Sequence, residues 1–309
     1  MTVSDRSRIA LAPEGTGNWL GEAVRAGGGT VVVPSDASGL VWADPNDPEG
    51  LHRLLLECPH IEWIQLPWAG VEPYREVFQA HRHRLWTCGK GIYAEPVAEH
   101  ALALALAGLR QVVHYGRASE WTPASGTNLL GARVVILGGG GIAESLLRLL
   151  GPFGCDVTVV RRTPCAMEGA ARVVGLADVD DALAGARLVV LALALTPETR
   201  GLIDRRRLGL LAPEAWVVNV ARGGHIVTED LVAVLAAGGI GGAALDVTEP
   251  EPLPRDHPLW SEPRCIITPH SANTIAMAIP LLSERVRANV GRWLAGEVLV
   301  GPVDVDTGY

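Results

Sequence analysis

The sequence predicts an α/β protein of parallel sheets, arranged in two domains. Three observations carry that prediction. Short apolar runs alternate with helical patterns along the chain. The strands of the middle third are apolar at every position, as expected of a sheet covered by helices on both faces. The chain has 309 residues, more than one ordinary domain of about 100–200 residues needs. Its 48% hydrophobic and 19% charged composition supplies a core and excludes a disordered chain.

In the first third, Arg8–Leu11, Thr30–Val33, Gly39–Trp42 and Glu62–Leu66 read as strands. Trp19–Ala26 and Glu49–Glu57 read as helices, each followed by a Gly or Pro stop. Pro96 opens a long apolar helix, Val97–Val113, which is too short for a membrane span and carries Glu99 and His100. In the middle third, strand Arg133–Leu137 runs into a glycine turn, Gly138–Gly141, and then a helix, Ala143–Leu150, stopped by Gly151-Pro152. Strands follow at Asp156–Val160, Leu188–Leu193, Ala215–Val220, Ala243–Asp246 and Cys265–Ile267. The last element is an amphipathic helix, Ala276–Gly296, placed to return to the first domain.

Charge and cysteines limit the partners. The net charge is −8, so no basic face for nucleic acid is advertised. Lys90 is the single lysine, and nearly all positive charge is arginine, a pattern that biased base composition accounts for. Five cysteines form no CxxC pair, which speaks against a zinc site or a disulfide framework and for a reducing compartment. The N-terminal residues lack the apolar core of a signal peptide. The expectation is a cytoplasmic protein without membrane or nucleic-acid partners.

The glycine turn carries chemistry. Gly138-Gly139-Gly140-Gly141-Ile142-Ala143 fits GxGxxG/A between a strand and a helix. Gly138 permits the tight turn, Gly140 admits a pyrophosphate close to the backbone, and small Ala143 lets the helix approach the strand. The helix N-terminus faces the anion. Where an NAD site usually places a carboxylate for the ribose 2′-OH, the next strand ends in Arg161-Arg162-Thr163. Two guanidiniums and a hydroxyl suit a 2′-phosphate, so NADP(H) is expected over NAD; the competing reading is two solvated arginines.

Three more segments lie just after strands, where open α/β sheets place ligands. They are Val218-Asn219-Val220-Ala221-Arg222-Gly223-Gly224, Ala244-Leu245-Asp246-Val247-Thr248-Glu249-Pro250-Glu251-Pro252-Leu253, and Ile267-Thr268-Pro269-His270-Ser271. With Gly91-Ile92-Tyr93-Ala94-Glu95-Pro96-Val97-Ala98-Glu99-His100 and Leu195-Thr196-Pro197-Glu198-Thr199-Arg200-Gly201, they make most of the chain resemble the D-isomer-specific 2-hydroxyacid dehydrogenases. The arginines after the second strand and the modest length look most like the NADPH-dependent glyoxylate/hydroxypyruvate reductase branch.

The resemblance implies two Rossmann-like or flavodoxin-like domains. Residues 97–271 would form an NAD(P)-binding domain inserted into a discontinuous substrate domain, 1–96 with the returning tail 272–309. The active site would lie in the cleft between them, closed by hinge motion. The order of Arg222, Glu251 and His270 matches the family's catalytic triad. His270 would be the general acid for a 2-keto acid, Glu251 its imidazole partner, and Arg222 the grip on the substrate carboxylate. A carboxylate beside an imidazole favours the charged ring. Glu249 rivals Glu251, and spacing favours Glu251.

The cofactor set implied is Gly138, Gly140, Gly141, Ile142, Arg161, Arg162, Thr163, Ala194, Thr199, Val220, Ala221, Arg222, Asp246, His270 and Ala272, with Asp246 orienting the nicotinamide. Backbone N–H groups of Trp68-Ala69-Gly70-Val71 would receive the substrate carboxylate. No metal is implied. His100, His225 and His257 read as structural or solvent-facing. Departures from the family pattern are Ala194 in place of a proline, Glu72 in place of an aspartate, and a large Trp68, which either narrows the pocket or packs at the domain interface. Expected partners are a small 2-keto or 2-hydroxy acid and a second copy in a homodimer, with the Val97–Val113 helix as candidate contact. The alternatives are a dehydrogenase for bulkier or phosphorylated acids and a nucleotide-sensing, corepressor-like binding protein.

Overall fold

A computed structural model describes residues 6–306. It separates into two compact units, one comprising the residues up to Tyr93 and from Thr274 onward, the other Ala94–Asn273. Both are α/β, and all pairings between their named strands are parallel.

In the discontinuous unit the strands are β1 (Arg8–Ala12), β2 (Thr30–Val32), β3 (Gly39–Trp42), β4 (Trp63–Gln65) and β5 (Leu85–Thr87), in the order β2-β1-β3-β4-β5. The helices are α1 (Asn18–Ala26), α2 (Pro48–Glu57) and α3 (Arg75–Ala80), joined at the end of the chain by the 21-residue helix Ile275–Ala295. Alternate strand residues point to opposite faces. Ile9, Val41 and Trp63 therefore pack with Leu20 and Val24 of α1 and with Val286, Val290 and Trp293 of the long helix. Ala10, Leu40 and Ile64 pack with Leu51 and Leu55 of α2 and Phe78 just inside the end of α3. The returning helix thus belongs to the first core.

The continuous unit begins with α4 (Ala94–Leu109) and α5 (Val112–Arg117). The sequence predicts one helix over Val97–Val113. The structure starts it at Ala94, with Pro96 in the first turn where its missing N–H costs nothing. It also breaks the helix after Leu109. Gln111 takes a left-handed φ of 55°, and Thr127 N–H donates to the Leu109 carbonyl, ending the ladder.

Seven strands follow: β6 (Arg133–Leu137), β7 (Asp156–Val160), β8 (Arg172–Val174), β9 (Leu188–Leu191), β10 (Trp216–Asn219), β11 (Gly242–Leu245) and β12 (Cys265–Ile267). Their order is β12-β11-β10-β9-β6-β7-β8. The order reverses between β6 and β9, the switch point where such sheets bind dinucleotides. The helices α6 (Gly141–Leu150), α7 (Val179–Leu183), α8 (Arg205–Leu208) and α9 (Thr228–Ala236) complete the unit, and the terminal helix Ile275–Ala295 is α10. Val135, Val189, Val217 and Ala243 face a core with α7 and α9. Val134, Ile136, Val190 and Val218 face a core with α4 and α6. Among the described residues, no helix is long and apolar enough to cross a membrane.

Candidate active site

The glycine turn joins β6 to α6, and each glycine meets a different constraint. Gly138 has a φ of +117°, and a Cβ there would stand 2.1 Å from the Ala192 carbonyl oxygen. Nothing lies within 4 Å of a Cβ built on Gly140, so that face is open. Gly140 caps α6 without a side-chain hydrogen bond, which leaves first-turn N–H groups for an anion. Ala143 is buried against the sheet. The turn therefore fits a dinucleotide pyrophosphate. Gly141 stands close to Ala94, and Ile142 is half-buried and packs on the α4–α6 core.

At the end of β7, Arg161 lies against this turn. Its Nη1 donates to the Cys165 sulfur at 2.9 Å, while Arg162 and Thr163 are exposed. Arg162 helps hold the Glu198 carboxyl below its usual range, after the hydrogen bond from Thr196. After β9, Thr199 closes the next loop: its hydroxyl donates to the Ala194 carbonyl at 2.8 Å and accepts from Thr196 N–H at 2.8 Å. His225 is fully buried, with one ring nitrogen 3.0 Å from the Thr199 carbonyl and the other 3.1 Å from that of Leu193. Burial lowers its pKa against the pull of those carbonyls. It ties the turn that carries Arg222 to the Thr199 loop.

Beyond β10, buried Asn219 shapes the Arg222 turn. Its carbonyl oxygen accepts from Ala221 N–H at 3.0 Å, and its amide donates to the Arg222 carbonyl at 2.9 Å. Val220 and Ala221 are buried, whereas Arg222 is partly exposed, with Nη1 on the Ala221 carbonyl.

Beyond β12, His270 Nδ1 lies 2.6 Å from Glu251 Oε1. Because a carboxylate only accepts, Nδ1 carries the proton of that bond, which leaves Nε2 as the ring nitrogen to face a substrate. Glu249 is elsewhere: its carboxylate pairs with Arg200 at 2.9 Å. The rivalry between the two glutamates is thus resolved in space. His270 holds a φ of +51°, unusual for a residue with a side chain.

Asp246, at the end of β11, fixes that conformation. Its main-chain carbonyl accepts from His270 N–H at 2.8 Å. Its carboxylate accepts from Thr268 Oγ1 at 2.6 Å, Ser271 N–H at 2.8 Å and Ala272 N–H at 3.1 Å. His100 Nε2, from α4, reaches Thr268 Oγ1 at 3.1 Å and Asp246 Oδ1 at 3.4 Å. Burial would raise the Asp246 pKa, but these donors bring it down to about 2.

Arg222, Glu251, His270 and the expected cofactor residues all stand on the continuous unit, at loops after strand C-termini or at the start of α6. Trp68–Val71 stand in the other unit, in the loop after β4. There the Trp68 ring packs on Tyr93 at 5.4 Å between centroids, Val71 is buried, and Ala69 is exposed. The sequence assigns no part to Asn219 and Thr268, and it reads His100 as structural or solvent-facing. All three lie inside segments already singled out, and the contact of His100 with Thr268 and Asp246 gives it a supporting place at the site.

A sheet reversing beside a glycine turn, with a histidine–carboxylate pair at its strand ends, fits a nicotinamide-dependent oxidoreductase. Comparison with known proteins narrows this class. Residues 100–272 match the model of the D-isomer specific 2-hydroxyacid dehydrogenase, NAD binding domain. The chain is 32% identical over 289 residues to glyoxylate/hydroxypyruvate reductase A of Serratia proteamaculans, covering 89% of this chain and 88% of that protein. It is 34% identical over 291 residues to the Yersinia enterocolitica protein of the same name, covering 89% and 88%. Among solved structures, a D-isomer specific 2-hydroxyacid dehydrogenase from Xanthobacter autotrophicus Py2, in complex with NADPH and MES, superposes with a TM-score of 0.84. It is 29% identical, over 98% of this chain and 99% of that one. The chain belongs to the D-isomer-specific 2-hydroxyacid dehydrogenase family.

Proposed function

We propose that the protein reduces a small 2-keto acid, of glyoxylate or hydroxypyruvate size, to the D-2-hydroxy acid with NADPH. The observation that carries this reading is the 2.6 Å pair of His270 and Glu251, at the same C-terminal edge of the sheet as a dinucleotide turn. The glyoxylate/hydroxypyruvate reductases among the relatives support the substrate class. Arg161 and Arg162 beside the turn, and the NADPH in the Xanthobacter structure, support the cofactor.

The glycine turn and the α6 N-terminus would hold the pyrophosphate, and Arg161, Arg162 and Thr163 the 2′-phosphate. Bound NADPH supplies the hydride. Glu251 keeps the His270 proton on Nδ1 and orients the ring, so that Nε2–H donates a proton to the oxygen where charge develops. Arg222 pairs with the substrate carboxylate and polarises the keto oxygen. Asp246 holds the His270 main chain in place. The working assembly in this reading is a homodimer.

The test is a panel of 2-keto acids with NADPH and NADH, read as kcat/KM. The expected result is turnover of small 2-keto acids with NADPH favoured. His270→Ala should lower kcat by about 10²–10⁴-fold while NADPH still binds. No keto-acid-dependent NADPH oxidation across the panel, or near-normal turnover by the variant, overturns the reading.

A further inference from the structure

We infer that Gly139 is a cofactor-specificity position. By carrying no side chain, it lets the arm of Arg161 lie across the glycine turn, where a dinucleotide 2′-phosphate would be met. This rests on the NADPH reading above and gives a separate part to one residue of the glycine turn, to which that reading assigns none of its own.

A Cβ built on Gly139 would stand 2.7 Å from Arg161 Cδ, 2.9 Å from Nε and 3.0 Å from Cβ. The contacts with Cδ and Nε, both under 3.0 Å, lie along the middle of the side chain and cannot be avoided by a small shift of the guanidinium tip, while that with Cβ is merely tight. A methyl group there sends Arg161 into another rotamer. The backbone gives glycine no other reason to be at this place. Gly138 has its positive φ and a carbonyl 2.1 Å from a would-be Cβ, but Gly139 has no left-handed φ, so alanine is allowed on conformational grounds. Gly140 faces open space.

The Arg161 guanidinium rests on the Cys165 thiol at 2.9 Å. Sulfur is a weak acceptor, so this contact holds the arm in place yet gives way to a phosphate, whose anionic oxygens accept shorter and stronger bonds from a guanidinium. Gly139 positions the stem and Cys165 parks the head. A dinucleotide lacking the 2′-phosphate offers Arg161 no such anion, so the arrangement bears on NADPH and not on NADH.

The test is equilibrium binding by calorimetry, with NADPH, NADH, 2′,5′-ADP and 5′-AMP as ligands. Wild type, Gly139→Ala, Arg161→Ala and the double variant are compared. Gly139→Ala should weaken NADPH and 2′,5′-ADP about tenfold, and NADH and 5′-AMP by less than about twofold. Retained NADH binding also shows that the variant is folded. In the Arg161→Ala background, Gly139→Ala should add less than about twofold, because it acts through that side chain. An unchanged NADPH/NADH ratio in Gly139→Ala, equal loss of both cofactors, or a full effect persisting without Arg161 overturns the inference while the NADPH reading stands. A wild-type protein that binds NADH as tightly as NADPH overturns that reading and this inference with it.

Discussion

His270 and Glu251 are both partly exposed, so their 2.6 Å bond matters for orientation more than for stability. Two neighbouring glutamates separate orientation from mere proximity of charge. Glu251→Gln should cut kcat by about 10²-fold or more, because the amide holds the ring poorly for proton transfer. Glu249→Gln, which breaks only the exposed pair with Arg200, should stay within about threefold. Steady-state kinetics on the two variants checks this. The dyad was legible in the sequence because its members follow Pro residues in a recognisable order. The support beneath it was not. His100 and Thr268 meet across 168 positions, and only tertiary structure closes such a distance.

At the scale of elements, close packing decides what can change. Helix α4 runs so near β10 that a Cβ on Gly108 would stand 2.2 Å from the Trp216 ring. Gly108→Ala should therefore destabilise the protein by about 1–3 kcal/mol, despite alanine's better helix propensity, as read from urea unfolding. In the other unit, His52 of α2 and buried His81 beyond α3 share a hydrogen bond of 3.1 Å. Burial, then Arg84, His52 and His83, lowers the His81 pKa to about 4. The unfolded chain takes up this proton near pH 6.5 and the folded one only near pH 4. Stability is thus full above about pH 6.5 and is lost as the pH falls toward 4. His81→Gln should flatten the dependence of Tm on pH over that interval.

Strand boundaries were legible to within one or two residues wherever both faces are buried, as in β6 and β7, which match the apolar runs Arg133–Leu137 and Asp156–Val160. The three-residue strands β5 and β8 were not. Strand β2 is as short and also begins on an exposed residue, but Val33 extends its apolar run, whereas Gly175 follows β8 directly and β5 holds only Leu85 and Trp86 before Thr87.

For the whole molecule, the partition of the core is the main fact. Two apolar clusters lie wholly within Ala94–Asn273, and two lie wholly outside it. A fragment of residues 94–273 should therefore fold cooperatively and bind NADPH, as followed by circular dichroism and calorimetry. A fragment that stays unfolded would show that the inserted segment depends on its flanks. The sequence leads to the expectation of an inserted domain over residues 97–271, because the Rossmann-type pattern starts well inside the chain. The resemblance and the long terminal helix together pointed to a returning tail.

The anchoring of the His270 loop on Asp246 has a thermal consequence. Fixing a loop residue costs about 1–2 kcal/mol of backbone entropy at room temperature. Here the main chain from His270 to Ala272, together with the Thr268 hydroxyl, is already tied down by a carboxylate and a carbonyl of one residue. That ordering is completed during folding, so little of it is left to be lost on the way to the transition state. Cutting the tie with Asp246→Ala would move the cost into each turnover, as a more negative activation entropy in an Eyring plot of kcat.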